Sequence, residues 1–287
     1  MSATADSSTR TPHPSPAKGE LAGLRIAVTR PAHQADALIE RIRAAGGEAI
    51  AQPLLAIAPP DLPVSADALR AKAQRAERII FISPNAVRMA LGVLPASHWR
   101  PLPMHGEDWG GEKGQASRIA AIGKGTARAL HEAGFSDVLA PRDGADSEAL
   151  LALPEFADMR GRTLLIVRGE GGRDLLATTL EARGAAVIHA VVYRRLPRPP
   201  DIALLRAGGP TIFMLTSSEA LRVLLDAAQG PDDAAWLRGQ RYVFGHPRIA
   251  ALGRTEGLVH GIIVKSPEDD ALYAALVSLA ELEKNTP

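Results

Sequence analysis

The sequence predicts an α/β protein built from two similar parallel-sheet lobes, related by an internal duplication and joined by a two-stranded crossing ribbon. Three observations predict it. A grammar of short β-favouring run, polar or glycine-bearing turn and helix-period stretch recurs eight times along the chain. The eight units fall into two sets of four that align with each other. Each set also carries a proline-bearing extended tail after its first unit rather than its last.

The first unit is "IAVTRPAHQADALIERIRAAGGEAI", Ile26 to Ile50. It lies without a gap on "LLIVRGEGGRDLLATTLEARGAAVI", Leu164 to Ile188, so that Arg30 meets Arg168, Asp36 meets Asp174 and Gly46 meets Gly184. The extended tails follow as "PLLAIAPPDLP" and "VVYRRLPRPPD", whose prolines suit crossing segments and disfavour helices. Residues 52–60 and 190–198 are therefore expected to pair as a ribbon. "IIFISPNAVRMAL" then matches "FMLTSSEALRVLL", with Ser83 on Ser217 and Arg88 on Arg222. "AAIGKGTARAL" matches "YVFGHPRIAAL", with Gly123 on Gly245. The fourth pair, "VLAPRDGADSEALLAL" and "IIVKSPEDDALYAAL", is weaker.

These matches divide the chain. Residues 1–20, rich in Ser, Thr and Pro without an apolar run, read as a disordered tail. Residues 21–52 plus 199–287 form a discontinuous first lobe, and residues 61–187 a second. Residues 53–60 and 188–198 are the linker strands. Residues 104–117 have no counterpart and read as a polar surface insertion.

Composition narrows the chemistry. The net charge of +1 calls for neither nucleic acid nor a membrane surface, and no apolar run is long enough to span a bilayer. The absence of cysteine removes thiolate chemistry, and the eight histidines lack metal-binding spacing. The expectations are a cytoplasmic monomer with no metal.

In parallel α/β sheets, ligands meet the C-terminal ends of strands, where helix starts present free N–H groups and partial positive charge. "GEGGRD" is not a dinucleotide turn, because Asp174 stands in place of the third glycine, and no G-K-[ST] phosphate loop follows. The turns are more informative as a set. Ser83 and Ser217 or Ser218 stand at N-cap positions, Lys124 and Thr126 open one helix, and His246 and Arg248 open another. Arg30 and Arg168 stand at strand ends. Hydroxyls, amides and cations thus collect on the strand-end edge of both lobes, a pattern suited to a polyanion with many carboxylates. No nucleophile elbow or Ser/His/Asp constellation accompanies them. Two readings fit: an enzyme that acts on such a polyacid, or a non-catalytic ligand-binding or regulatory module on the same fold.

At "VTRP", "FISPNAV", "AIGKGTARAL", "LIVRGEGGRDLL", "VVYRR" and "LTSSEAL" the chain resembles the uroporphyrinogen-III synthase family, over roughly residues 22–284. The resemblance implies two α/β lobes, no cofactor, and a linear tetrapyrrole octa-acid, hydroxymethylbilane, as substrate. It implies a lyase that closes the ring with inversion of ring D and loss of water, by way of an azafulvene cation and a spiro intermediate. It carries a candidate catalytic role onto Tyr193 and substrate contacts onto Ser83, Thr126, Arg168, Gly169, Ser217 and Ser218. Arg30, Lys124, His246 and Arg248 join the candidate contacts from their places in the turns. "GHPRIA" departs from the pattern, with Pro247 and Arg248 where some relatives have threonines.

Overall fold

The computed structural model describes residues 19–99, 118–144, 146–172, 174–264 and 267–284. Nearly all of the tail expected at 1–20, and the insertion expected at 104–117, lie outside the described residues.

Strand β1 (Arg25–Val28) has Ile26, Ala27 and Val28 fully covered, as expected of a strand packed on both faces. Helix α1 (Asp36–Ala44) buries Leu38, Ile39 and Ile42 at helical spacing. It ends against Gly46, whose φ of 86° lies in the left-handed region that glycine adopts without steric cost. β2 (Glu48–Ala51) then returns parallel to β1.

The chain next builds a compact unit from Leu55 to Pro197. Its elements in order are β3 (Leu55–Ala58), α2 (Ala66–Arg75), β4 (Arg78–Phe81), α3 (Pro84–Val93), β5 (Ile119–Ala121) and α4 (Lys124–Glu132). There follow β6 (Val138–Leu139), α5 (Ser147–Leu151), β7 (Thr163–Gly169), α6 (Leu175–Ala182) and β8 (Ala186–Pro197). The sheet order is β3-β8-β7-β4-β5-β6, and every pair is parallel except β3 with β8. That antiparallel pair sets Leu55 opposite Pro197 and Ala58 opposite Arg194, within the two proline-bearing tails.

Two cores flank this sheet. On one face Phe81, Val87, Trp99, Leu130, Leu165 and Val167 pack together; on the other lie Ile80, Leu150, Phe156, Leu164, Ile166 and Leu180. Among the described residues Trp99 is the largest fully buried side chain, 5.3 Å from the Phe81 ring, and its indole N–H donates to the Leu94 carbonyl at 2.7 Å. Trp99→Ala is therefore expected to destabilise the protein by about 3–5 kcal/mol, measured by urea unfolding. A loss below about 1 kcal/mol would contradict this packing.

The second compact unit joins the chain up to Leu54 with the chain from Arg198 onward. Its later elements are α7 (Ile202–Ala207), β9 (Ile212–Leu215), α8 (Ser218–Asp226), α9 (Pro231–Arg238), β10 (Arg241–Phe244), α10 (Pro247–Thr255), β11 (Gly261–Ile263) and α11 (Asp269–Lys284). The five strands run parallel in the order β11-β10-β9-β1-β2. Phe213, Tyr242 and Phe244 stack across β9 and β10 with ring centroids 5.8 and 5.4 Å apart.

Candidate active site

In the Leu55–Pro197 unit the strand-end edge is shaped by one irregularity in β8. Ile188, Ala190 and Val192 alternate onto the face that packs against α3, as strand geometry requires. The register then slips: Arg168 stands opposite Val191, but the next residue, Gly169, stands opposite Tyr193. This bulge inserts one residue into β8 and reverses the parity of the residues beyond it. Tyr193 consequently joins Val192 on the α3 face instead of turning to the other side.

Gly169 makes room for the ring that the bulge delivers. A Cβ at Gly169 would stand 2.5 Å from Tyr193 Cζ and 2.7 and 2.9 Å from its two Cε atoms. The Glu170 N–H donates to the Tyr193 carbonyl at 2.8 Å and fixes the backbone there. Tyr193 is 1% exposed.

The phenol points to the end of β4. Tyr193 Oη lies 3.1 Å from Ser83 Oγ, and Ser83 is the N-cap of α3, accepting from the Ala86 N–H at 3.0 Å. From two residues further along β8, Arg195 Nη2 donates to Tyr193 Oη at 3.1 Å, with its guanidinium carbon 5.5 Å from the ring centre. Ser83, Gly169 and Tyr193 thus come together, and Arg195 completes the group.

Arg168 turns away from them. Its guanidinium donates to the Gly171 carbonyl at 2.6 Å and to Asp174 at 2.8 Å. Gly171 and Gly172 both have positive φ, so the glycine turn wraps around this arginine. Arg168 holds the Asp174 carboxyl below the usual carboxylate range, while Asp174 itself is 73% exposed. Arg168 itself is buried, so the pair meets solvent through its carboxylate. Beside it is a hollow of about 510 Å³ lined by Arg168, Asp174, Thr178, Glu181 and His189. Burial first, and then the charge of Arg168, lower the basicity of the His189 imidazole.

Lys124 and Thr126 open α4 at the end of β5. This helix starts at Gly123 without a side-chain cap, and a Cβ at Gly125 would meet nothing within 4 Å. Lys124 is exposed, whereas Thr126 is buried.

In the other unit Ser217 caps α8, accepting from the Ala220 N–H at 3.0 Å, and Ser218 is the first helical residue. His246 caps α10 through Nδ1, which accepts from the Arg248 N–H at 3.1 Å. Arg248 is exposed, and its guanidinium has no partner among the described residues. Arg30 is differently placed. It donates to Asp269 at 2.5 Å and to the Pro267 carbonyl, so it ties the end of β1 to the start of α11. Among the described residues no group of three or more His, Asp or Glu has a metal-binding arrangement, and no helix is long and apolar enough to cross a membrane.

The family model described as uroporphyrinogen-III synthase HemD matches residues 36–274. The uroporphyrinogen-III synthase of Salmonella typhimurium is 34% identical over 258 residues, covering 88% of this chain and all of the relative. That of Escherichia coli K12 is 33% identical over 260 residues, with the same coverage.

The chain belongs to the uroporphyrinogen-III synthase family.

Solved structures agree in fold. A uroporphyrinogen-III synthase variant from Thermus thermophilus superposes with a TM-score of 0.60 at 21% identity, covering 91% of this chain and all of that one. The Helicobacter pylori structure gives 0.55 at 16% identity, covering 89% and 99%. The sequence reading missed the contact of Arg195 with Tyr193 and the bulge in β8. Arg195 carried a signal, since it stands two residues from Tyr193 on an extended segment; the bulge carried none beyond Gly169.

Proposed function

We infer that the chain converts hydroxymethylbilane into uroporphyrinogen III, closing the macrocycle with inversion of ring D and loss of water. The observation that carries the reading is the family match. It spans every candidate residue except Arg30, which precedes it. The geometry supports it. The strand-end edge of the Leu55–Pro197 unit offers a phenol–hydroxyl pair, a lysine and an uncapped helix start, without a dense set of strong acids and bases.

That set of groups suits a substrate that reacts readily once folded into the right shape. Holding reacting ends together removes most of the entropic barrier, and fixed dipoles stabilise the cation left when hydroxide departs. Tyr193 is the proton source for that departure. Ser83, Lys124, Thr126, Gly169, Ser217, Ser218, His246 and Arg248 contact the acetate and propionate arms through side chains or backbone. Arg168 does so by exchanging Asp174 for a substrate carboxylate, and Arg30 by way of the α11 start that it holds. The chemistry needs no cofactor.

The fold reading extends the same way. The two units descend from one duplicated ancestor. The strand order supports this: β1 and β2 stand beside β9-β10-β11 as β7 and β8 stand beside β4-β5-β6. The register also supports it. Arg25 pairs with Glu48 and Thr163 with Ala186, the same separation along the chain, at positions that coincide in the sequence repeat.

The function is tested by supplying enzymatically generated bilane, oxidising the products and resolving the isomers chromatographically. Predominantly type III product is expected. Type I alone, as in a protein-free control, rejects the reading and leaves the non-catalytic binding module in its place. Within that assay Arg248→Ala is expected to raise KM about five- to tenfold with kcat nearly unchanged, as for loss of one charge-assisted contact to a carboxylate. An unchanged KM removes Arg248 from the binding set.

A further inference from the structure

We propose that the proton for the departing hydroxyl reaches the substrate through Ser83, supplied by Tyr193, with Arg195 as the positioning residue that holds and charges the pair. The proposal rests on the functional reading above and assigns the route within it.

The donors and acceptors around the pair decide the direction. Ser83 and Tyr193 have two hydroxyl protons between them, and one lies in their shared 3.1 Å hydrogen bond. Ser83 Oγ accepts from the Ala86 N–H, and Tyr193 Oη accepts from Arg195. Two arrangements remain. If Ser83 donated to Tyr193, the phenol proton would need a further acceptor around a side chain that is 1% exposed, and no such acceptor lies within reach among the described residues. If Tyr193 donates to Ser83, every buried group is satisfied and the free proton is that of Ser83, which is only half-buried. The second arrangement points the transferable proton at the surface.

Atoms and charges balance along this route. The substrate C–O bond breaks with its electron pair passing to oxygen, which takes the Ser83 proton and leaves as water. The Tyr193 phenol proton passes to Ser83 Oγ. The resulting phenolate lies beside the Arg195 guanidinium, which compensates its charge. Ring closure later releases one proton from the attacked pyrrole carbon as aromaticity is restored, and that proton returns along the same pair. The net change is loss of one water, with the protein restored.

Arg195 is suited to this role. It donates to the phenol oxygen from the same strand, two residues on, so the bulge that places Tyr193 also places Arg195. A guanidinium donor strengthens its hydrogen bond as the acceptor gains negative charge, so it acts mainly in the transition state.

The test combines six variants in the isomer assay with steady-state kinetics. Arg195→Gln is expected to lower kcat about tenfold with KM unchanged, a loss the size of one hydrogen bond to a charged acceptor. Arg195→Lys recovers most of it. In a Tyr193→Phe background the Arg195→Gln change costs nothing more, because its partner is gone. Ser83→Thr keeps both the helix cap and a transferable proton and retains activity. Ser83→Asn keeps a cap but has no hydroxyl proton, and falls to the level of Tyr193→Phe. An equal Arg195→Gln loss in both backgrounds, or a rise in KM alone, overturns the role of Arg195. Full activity in Ser83→Asn overturns the route through Ser83. A wild-type chain that forms no type III product takes down the functional reading itself, and this route with it.

Discussion

Tyr193→Phe is expected to lower kcat on hydroxymethylbilane by about 10²-fold, the lower range for loss of a general acid, while leaving KM within about twofold. The prediction follows from how the ring is held. Removing one oxygen leaves the ring where the bulge and Gly169 put it, so the fold has little to adjust. The lost hydrogen bonds to Ser83 and Arg195 together cost about 2–4 kcal/mol of stability, too little to unfold a protein of ordinary stability. Activity and stability thus separate in this variant. Rapid-quench turnover with product isomer analysis, beside urea unfolding, measures both. Full activity would show that the phenol only fills space, and a collapse of stability would show that it is a core group first.

Gly169→Ala is expected to reproduce that loss of activity by steric means. Its Cβ would stand within 3 Å of three atoms of the Tyr193 ring, closer than non-bonded carbons tolerate. The ring cannot simply swing aside, because its own backbone is held by the Glu170 N–H and by pairing to β7. Overpacking at such a site costs about 1–3 kcal/mol, and the displaced phenol loses Ser83. The same glycine change made in a Tyr193→Ala background is expected to cost less than about 0.5 kcal/mol, since the three nearest atoms all belong to the ring. A cost that persists there would place the constraint in the strand backbone instead.

The parallel α/β character was legible because each unit announces itself locally. β4 reads "RIIF" and α3 follows with Ala86, Val87 and Ala90 on one face; a strand run and a helix period are near-neighbour properties that survive without tertiary context. Capping was legible for the same reason, and Ser83 and Ser217 both cap as serines before helices do. The features that escaped depend on pairing between distant strands. The bulge arises from register between residues 168–169 and 191–193, and no local pattern encodes it. The ion pair of Arg168 with Asp174, six residues on, is likewise set by turn geometry. Arg30 meets Asp269 across most of the chain length, and His246 caps its helix with a ring nitrogen.

The central physical claim is that helix starts at strand ends, with the side chains beside them, hold the polyacid. Backbone amide hydrogen exchange with and without uroporphyrinogen III tests it most directly. Slowed exchange is predicted at the first turns of α3, α4, α8 and α10, with the strongest effect at Lys124 and Gly125, where no side chain caps the helix. Protection confined to other segments, or none at saturating product, would contradict the account.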